Sequence, residues 1–170
     1  MHLEDWMKED WMKKTEIRLA KREEVTTIKE LIVLAYTPIE PILGRKPRGM
    51  LETEEKVIER IDKKTVYSVL FEDKLMGTFT IKHNERYDLM EVQKIAIEPD
   101  MQNKGFGSYI MESTEHLVRG MDQRKIMIQT YEDHKQLVDF YLHRVYKTFD
   151  TRDRKGNVVL MMEKKLWRED

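Results

Sequence analysis

The spacing of apolar and polar residues predicts one mixed α/β domain over residues 15–170, preceded by a short extension at 1–14. Segments in which apolar and polar residues alternate are typical of strands, and apolar residues that recur every three or four positions are typical of helices. These segments follow the order β-α-α-β-β-β-α-β-α-β-β. The predicted strands lie at 15–20, 65–71, 75–83, 89–98, 125–131, 146–152 and 158–166, and the predicted helices begin near Val25, Thr53, Gly107 and Asp133.

One predicted strand, 89–98, contains a fault in its alternation. Met90 and Val92 are apolar at even positions, whereas Ile95 and Ile97 are apolar at odd positions. A shift of one residue inside a continuous strand is the pattern that a β-bulge produces. Because bulges often lie beside active sites, residues 92–95 are a candidate functional segment.

Two segments fall outside the regular pattern. Residues 37–49 carry three of the four prolines and two of the seven glycines, so we expect an irregular loop that is long enough to have a function. Residues 1–14 contain Trp6 and Trp11. This extension is either frayed or a short amphipathic helix that docks on the body or on a second subunit.

The start and the buried face of the last helix are also predicted by the sequence. Asp133 and Gln136 have the spacing of a capping box. Five apolar residues follow at helical spacing, and we expect them to be buried: Leu137, Val138, Tyr141, Leu142 and Val145.

The composition excludes several classes of protein. Lys and Arg number 31 against 32 Asp and Glu, which argues against a surface dedicated to nucleic acid. The chain contains no cysteine, which excludes disulfides, thiolate metal sites and a cysteine nucleophile. The longest apolar run, 31–36, is too short to cross a membrane, and residues 1–6 do not resemble a signal peptide, so we expect a cytoplasmic protein. The five histidines lack metal-ligand spacing, so we expect no metal.

The strongest local signal is a strand followed by Gly105-x-Gly107 and a helix. A helix N-terminus presents backbone N–H groups and a partial positive charge, so this segment predicts an anion-binding site. It is not a dinucleotide fingerprint, because Ile110 stands where a third glycine is needed. The spacing of Gly44 and Gly49 does not make a P-loop, since neither the Lys-Ser/Thr pair nor a preceding strand is present.

The segment Ile97-Glu98-Pro99 followed by Gln102-Asn103-Lys104-Gly105-Phe106-Gly107 resembles the GNAT superfamily of acetyl-CoA-dependent N-acetyltransferases. The signature of that family is Q/R-x-x-G-x-G/A after a bulged strand that ends in V/I-x-P. The resemblance extends from about residue 16 to 166, because the order of elements also matches. It implies a mostly antiparallel central sheet with a bulged central strand, flanked by helices.

The resemblance also implies where acetyl-CoA binds as co-substrate. The pyrophosphate would lie on the backbone N–H groups at the helix start, and the pantetheine arm would pair with the backbone of the bulged strand. A backbone N–H there would hold the oxyanion of the reacting thioester. The residues assigned to this site are Ile95, Ala96, Ile97, Gln102, Asn103, Lys104, Gly105, Phe106, Gly107, Ser108, His134 and Tyr141.

Two residues are candidates for proton transfer. Phe140-Tyr141 matches the F-Y pair of the second family signature, while His134 stands for its Asn and Val145 for its Gly. Tyr141 is either the general acid for the leaving thiolate or a core aromatic residue. Glu91, just before the bulge, is either the general base or an exposed glutamate on the strand, and a water chain is the alternative base.

The sequence therefore predicts direct acetyl transfer from acetyl-CoA to a primary amine, with residues 37–50 selecting the acceptor. The alternatives are a non-catalytic CoA-binding or acyl-CoA-binding module on the same fold, and a general phosphate-ligand binder. The basic clusters Arg45-Lys46-Arg48 and Arg152-Arg154-Lys155 are interpreted as solvated turns, and the alternative is contact with an acidic substrate or a CoA phosphate. The resemblance implies a possible homodimer. From the charge balance and the short apolar runs, we expect neither a nucleic-acid nor a membrane partner.

Overall fold

A computed structural model describes residues 12–102 and 105–167, and within them seven strands form one sheet. The predictions for residues 1–11, Asn103 and Lys104 lie outside the described residues. The strands are β1 Thr15–Leu19, β2 Val66–Phe71, β3 Lys74–Asn84, β4 Leu89–Ile97, β5 Lys125–Tyr131, β6 Lys147–Arg154 and β7 Asn157–Lys165. The helices are α1 Val25–Tyr36, α2 Glu40–Leu43, α3 Glu54–Asp62, α4 Phe106–Gly120 and α5 Lys135–His143.

The sheet has the order β1-β2-β3-β4-β5-β7-β6. Every neighbouring pair is antiparallel except β4 and β5, which are parallel. This arrangement confirms the predicted fold class of a single mixed α/β domain with a mostly antiparallel sheet. Within the part of the chain that is described, no helix is long and apolar enough to span a membrane.

The two faces of the sheet carry different helices. On one face, α4 and α5 bury Phe106, Ile110 and Tyr141 against the side chains of β4, β5 and β7. On the opposite face, α1 and α3 bury a second cluster that includes Ala96 of β4. Val92 of β4 packs in the cluster beneath α4 and α5. Because strand side chains alternate between faces, its neighbour Glu91 lies on the opposite face, which is the α1 side of the sheet.

The predicted bulge in β4 is confirmed by the pairing of β3 with β4. Thr78 lies opposite Ala96 and Thr80 opposite Gln93, so two residues of β4 oppose one residue of β3. The extra residue falls at Lys94, which has a φ of 54° in the left-handed region. The bulge therefore explains the shift in the apolar alternation that the sequence displays.

The segment 37–49 is more regular than the sequence analysis predicted. It contains a 3₁₀ turn at Thr37–Ile39 and the one-turn helix α2, and a further 3₁₀ turn begins at Arg48. Proline at an early helical position costs little, since the first N–H groups of a helix have no intrahelical partner. The prolines of this segment therefore start short turns rather than prevent them.

Two details of the last helix were predicted wrongly. His134, not Asp133, is the N-cap of α5, and no side chain caps the helix. Leu142 and Val145 are exposed, because α5 ends at His143 and only one side of this short helix meets the sheet. Val145, which stands for the glycine of the family signature, has a φ of 72° and is therefore strained.

Candidate active site

A gap opens in the middle of the sheet where β4 and β5 separate. The two parallel strands pair only through Met90 with Ile126 and Glu91 with Met127. Beyond these pairs, β4 continues to Ile97 and β5 to Tyr131, but the two strands no longer pair with each other. The separation starts near the bulge. The gap leads towards the start of α4, because α4 follows the end of β4.

The backbone of β4 beyond the bulge faces this gap at alternate residues. The N–H of Glu98 donates to the carbonyl of Met76 on β3, at 2.8 Å. Because backbone groups alternate in direction along an antiparallel strand, Ile95 and Ile97 direct theirs to the gap. The backbone groups of Ala96 point to β3, and its methyl group is buried on the α1 side. Neither arrangement favours contact between Ala96 and a ligand in the gap.

The start of α4 has the geometry of an anion site. Gly105 is its N-cap with a φ of 82°, a conformation that favours glycine. A Cβ added at Gly107 would lie 3.8 Å from Phe140, so the protein itself does not require a glycine there and the backbone stays open to a ligand. Together with Phe106 and Ser108, these residues form the first turn of the helix, whose N–H groups have no intrahelical acceptor.

Gln102 lies just before this helix start, and His134 lies at the start of α5. The side chain of Gln102 is exposed, and its amide donates to the carbonyl of Ile97 at 3.5 Å, the limit for a hydrogen bond. His134 is half-buried at the N-cap of α5, and burial lowers the pKa of its imidazole. A neutral imidazole at neutral pH is suited to contact an uncharged part of a ligand.

Two tyrosines approach the gap from opposite faces of the sheet. Tyr141 of α5 is 5% exposed, and its hydroxyl donates to no acceptor among the described residues. Burial raises the pKa of Tyr141, and the nearby hydroxyl of Tyr36 raises it further. Burial likewise raises the pKa of Tyr36 to about 12, with contributions from Tyr131, Glu52 and Glu91. Both hydroxyls are therefore protonated at neutral pH and able to donate.

Glu91 lies on the α1 side at the point where the strands separate. It is 5% exposed, so it is not the exposed strand residue of the alternative interpretation. Its carboxylate accepts hydrogen bonds from Asn84, at 2.8 Å, and from Gln129, at 3.3 Å. Two neutral amide donors on neighbouring strands thus fix the orientation of this carboxylate.

A third group of residues, which the sequence analysis missed, surrounds the bulge. Glu52 is buried and accepts a hydrogen bond from Arg60 at 2.9 Å, while the Lys94 ammonium lies 3.8 Å away. The ammonium also lies 5.4 Å from the ring centre of Tyr36. Burial lowers the pKa of Lys94, although Glu52 opposes this effect. Only the position of Lys94, a charged residue at the predicted bulge, could have indicated this cluster.

Comparison with known proteins identifies the family. The sequence matches the acetyltransferase (GNAT) family over residues 25–145, which is more than half of the chain. The chain belongs to the GNAT acetyltransferase family. This membership confirms the predicted acetyltransferase class with acetyl-CoA as co-substrate. No curated protein matches the chain closely enough to serve as a relative.

Solved structures with the same fold are distant in sequence. The acetyltransferase of the GNAT family from Streptococcus agalactiae has a TM-score of 0.73 at 19% identity, covering 92% of this chain and 96% of its own. PaiA N-acetyltransferase from Thermoplasma acidophilum, solved with coenzyme A, has a TM-score of 0.71 at 16% identity, covering 89% and 98%. A chimera of spermidine N-acetyltransferase SpeG from Vibrio cholerae and hSSAT has 0.71 at 18%, covering 90% and 96%. At these identities the likeness establishes the fold.

Proposed function

We propose that this protein transfers the acetyl group of acetyl-CoA directly to a primary amine. The observation that carries the proposal is the convergence of Tyr141, Tyr36 and Glu91 on the gap between β4 and β5. The chain has no cysteine, so a thioester acyl-enzyme is excluded, which agrees with direct attack of the amine on the acetyl donor.

The donor half of the site would be built from backbone groups. The N–H groups of the first turn of α4, Gly105 to Ser108, would hold the pyrophosphate, and Asn103 and Lys104 keep their place in this proposal from the family signature. The backbone of Ile95 and Ile97, which faces the gap, would pair with the pantetheine arm. An N–H of that segment would then donate to the carbonyl oxygen of the thioester and stabilise its developing negative charge.

Proton transfer would use Tyr141 and Glu91. The amine nitrogen forms a bond to the carbonyl carbon, Glu91 accepts the proton that the nitrogen loses, and the carbon–sulfur bond breaks. Tyr141 donates its proton to the departing thiolate. Tyr141 is the only one of the two tyrosines on the face that carries α4 and α5, whereas Glu91 and Tyr36 lie on the α1 side. The acid and the base would therefore act from opposite sides of the gap.

The first experiment is binding followed by turnover. Calorimetric titration should show that acetyl-CoA binds, and a panel of amines should yield free CoA, detected as thiol. The panel should include polyamines, since one structural neighbour is named for spermidine, together with amino acids and peptides. Absence of acetyl-CoA binding at high micromolar concentration would contradict the proposal. Tight binding without thiol release on any amine would favour a non-catalytic binding module instead.

Two conservative substitutions separate the roles. In Tyr141→Phe the ring still packs, so affinity for acetyl-CoA should persist while kcat falls by about 10²-fold or more. In Glu91→Gln the amide keeps the shape of the carboxylate, and kcat should fall most at low pH, where less amine is neutral. An unchanged rate and pH profile would remove the substituted residue from its role. For Glu91→Gln, that result would leave a water chain as the base.

We also propose that residues 1–14 contribute to a homodimer. Trp167, the one tryptophan among the described residues, is 54% exposed, and its indole N–H donates to the carbonyl of Gln123. Exposed tryptophan is common at interfaces, because one end of the ring is apolar. Sedimentation of a chain that begins at Met12 tests this proposal, and sedimentation identical to that of the full chain would refute it.

A further inference from the structure

Two basic clusters that are far apart in the sequence meet in the structure. The guanidinium of Arg45 donates to the side chain of Asn157 and to the carbonyl of Arg154, both at 2.9 Å. The same guanidinium lies 5.8 Å from the ring centre of Tyr131, at the end of β5. The segment before α3 is therefore fastened to the β6–β7 hairpin beside the open gap. Arg45 therefore has a structural role, whereas the sequence analysis interpreted its cluster as a solvated turn.

A pocket of about 290 Å³ lies between the fastened segments, and we call it the arginine pocket. Its lining consists of Arg48, Arg152, Asp153, Arg154, Val159 and Met161. The side chain of Arg48 is exposed, but its backbone is held firmly, because Pro47 and Gly49 on either side are buried. Gly49 packs so closely on the ring of Tyr36 that a Cβ would overlap it.

The arginine pocket has an excess of positive charge. Three guanidinium groups and one carboxylate line it, and Asp153 already accepts a hydrogen bond from the N–H of Gly156 at 3.0 Å. Among the described residues, no carboxylate lies within 4 Å of the guanidinium nitrogens of Arg48, Arg152 or Arg154. Guanidinium groups with free donors favour carboxylate and phosphoryl oxygens.

The arginine pocket lies on the same face of the sheet as Glu91. Its floor residue Met161 is paired with Gln129 on β5, and the side chain of Gln129 donates to Glu91 on β4. Met161 lies one strand spacing of about 4.8 Å from Gln129, and the Gln129 side chain spans the opening to Glu91, so the pocket floor lies on the order of 10 Å from this carboxylate. The charge of Arg48 contributes to lowering the pKa of Lys94 at the bulge, which agrees with this proximity.

The phosphates of CoA are a poor match for this pocket. The first turn of α4 packs on the opposite face of the sheet, with Phe106 in the cluster that contains Tyr141. The floor of the arginine pocket, Val159 and Met161, packs with Met127 in a separate cluster on the opposite face of the sheet from Ile128 and Met162 of the α4 cluster. The sheet therefore lies between the pyrophosphate site and the pocket, which leaves the pocket to the acceptor.

We propose that the arginine pocket binds an anionic group of the acceptor, so that the substrate is an amine carrying a carboxylate or phosphoryl group about 10 Å from its nitrogen. This inference rests on the proposed acetyl transfer and adds the charge and the length of the acceptor. Arg48 and Arg152 would determine specificity, because their guanidinium groups would bind the anionic end of the substrate and not its reacting nitrogen.

The test compares three eight-carbon amines that differ only at their far end: 8-aminooctanoate, 8-aminooctanol and 1,8-diaminooctane. A charged hydrogen bond is worth about 1.5–3 kcal/mol, so kcat/KM for the carboxylate should exceed that for the diamine by roughly tenfold or more. Arg48→Gln and Arg152→Gln should abolish this preference by raising KM for the carboxylate alone. Affinity for acetyl-CoA should stay unchanged in both variants.

Matched controls come from the same two segments. Lys46→Gln and Lys155→Gln each remove a positive charge outside the pocket lining, and both variants should keep the preference for the carboxylate. Acetylation with no preference, a preference for the diamine, or loss of the preference in the lysine variants would overturn this inference and leave acetyl transfer intact. Failure of the whole amine panel would overturn the proposed transfer, and this inference with it.

Discussion

A negative charge on the first turn of α4 should have opposite effects on folding and on ligand binding. Ser108 is the third residue of α4 and is half-buried. In Ser108→Asp, the carboxylate would interact favourably with the N-terminal end of the helix and stabilise the free protein by about 0.3–1 kcal/mol. The same carboxylate would compete with the pyrophosphate for the same N–H groups and repel it.

The size of the repulsion follows from Coulomb's law. For a carboxylate about 5 Å from the nearest phosphate, it is about 0.8 kcal/mol in bulk water and about 3 kcal/mol at an effective dielectric constant of about 20. Affinity for acetyl-CoA should therefore fall by roughly 4-fold to 200-fold. Calorimetry measures this loss, and urea unfolding of the free protein measures the gain in stability.

Ser108→Asn is the matched control, because asparagine has the shape of aspartate without its charge. The Asn variant should bind acetyl-CoA far better than the Asp variant, and salt should reduce the difference, since the Debye length falls from about 10 Å at 0.1 M to about 3 Å at 1 M. Equal affinities of the two variants would refute the assignment of the pyrophosphate to this helix start. A difference that salt does not change would refute the electrostatic reasoning.

Three further substitutions test other parts of the structure. Gly49→Ala places a Cβ in the ring of Tyr36, so urea unfolding should show a loss of about 1–3 kcal/mol and kcat should fall. Val145→Gly relieves a strained φ at an exposed position, so stability should rise by about 1 kcal/mol. Burial raises the pKa of Glu24, but accepted hydrogen bonds outweigh it and leave the pKa below 4.5. Its stabilisation is present above pH 4.5 and lost as pH falls through the lower folded pKa, so Glu24→Gln should flatten the fall of Tm in acid.

Each of these substitutions has a control in the chain. Gly120→Ala introduces a methyl group where nothing lies within 4 Å, so it should be neutral or stabilising, and a loss like that of Gly49→Ala would contradict the packing argument. Val145→Ala keeps a Cβ at the strained φ and should gain less than Val145→Gly. Glu23→Gln changes an exposed neighbour of Glu24, and an equal effect on the acid profile would contradict the role given to Glu24.

The parts of the site that the sequence predicted depend on local backbone geometry. The bulge is visible as a shift of the apolar alternation between Val92 and Ile95, because one extra residue reverses the face of every later side chain. The helix start is visible because a φ of 82° needs a glycine at 105. Both signals lie within a few residues of the feature that they indicate, so a single sequence is enough to read them.

The parts that the sequence did not predict depend on contacts between distant segments. Tyr36 reads as the last residue of an amphipathic helix, and only the packing of α1 on the sheet brings its hydroxyl near Glu91. The predicted capping box at Asp133 is the exception, because it is wrong for a local reason: His134 is the N-cap and the helix begins one residue later. Arg45 and Asn157 are 112 residues apart, and no periodic pattern in either segment links them.

This division also separates the two halves of the proposed reaction. The donor half is made of backbone N–H and carbonyl groups, which any side-chain substitution outside the strand and helix start leaves in place. The acceptor half is made of side chains such as Arg48 and Arg152, which the segment before α3 and the β6–β7 hairpin supply from opposite ends of the chain. Substitution of these pocket arginines should therefore change which amine is acetylated without changing the affinity for acetyl-CoA. In this proposal the acceptor is determined by residues whose proximity only the fold reveals, which is why the sequence indicates the acetyl donor and not its recipient.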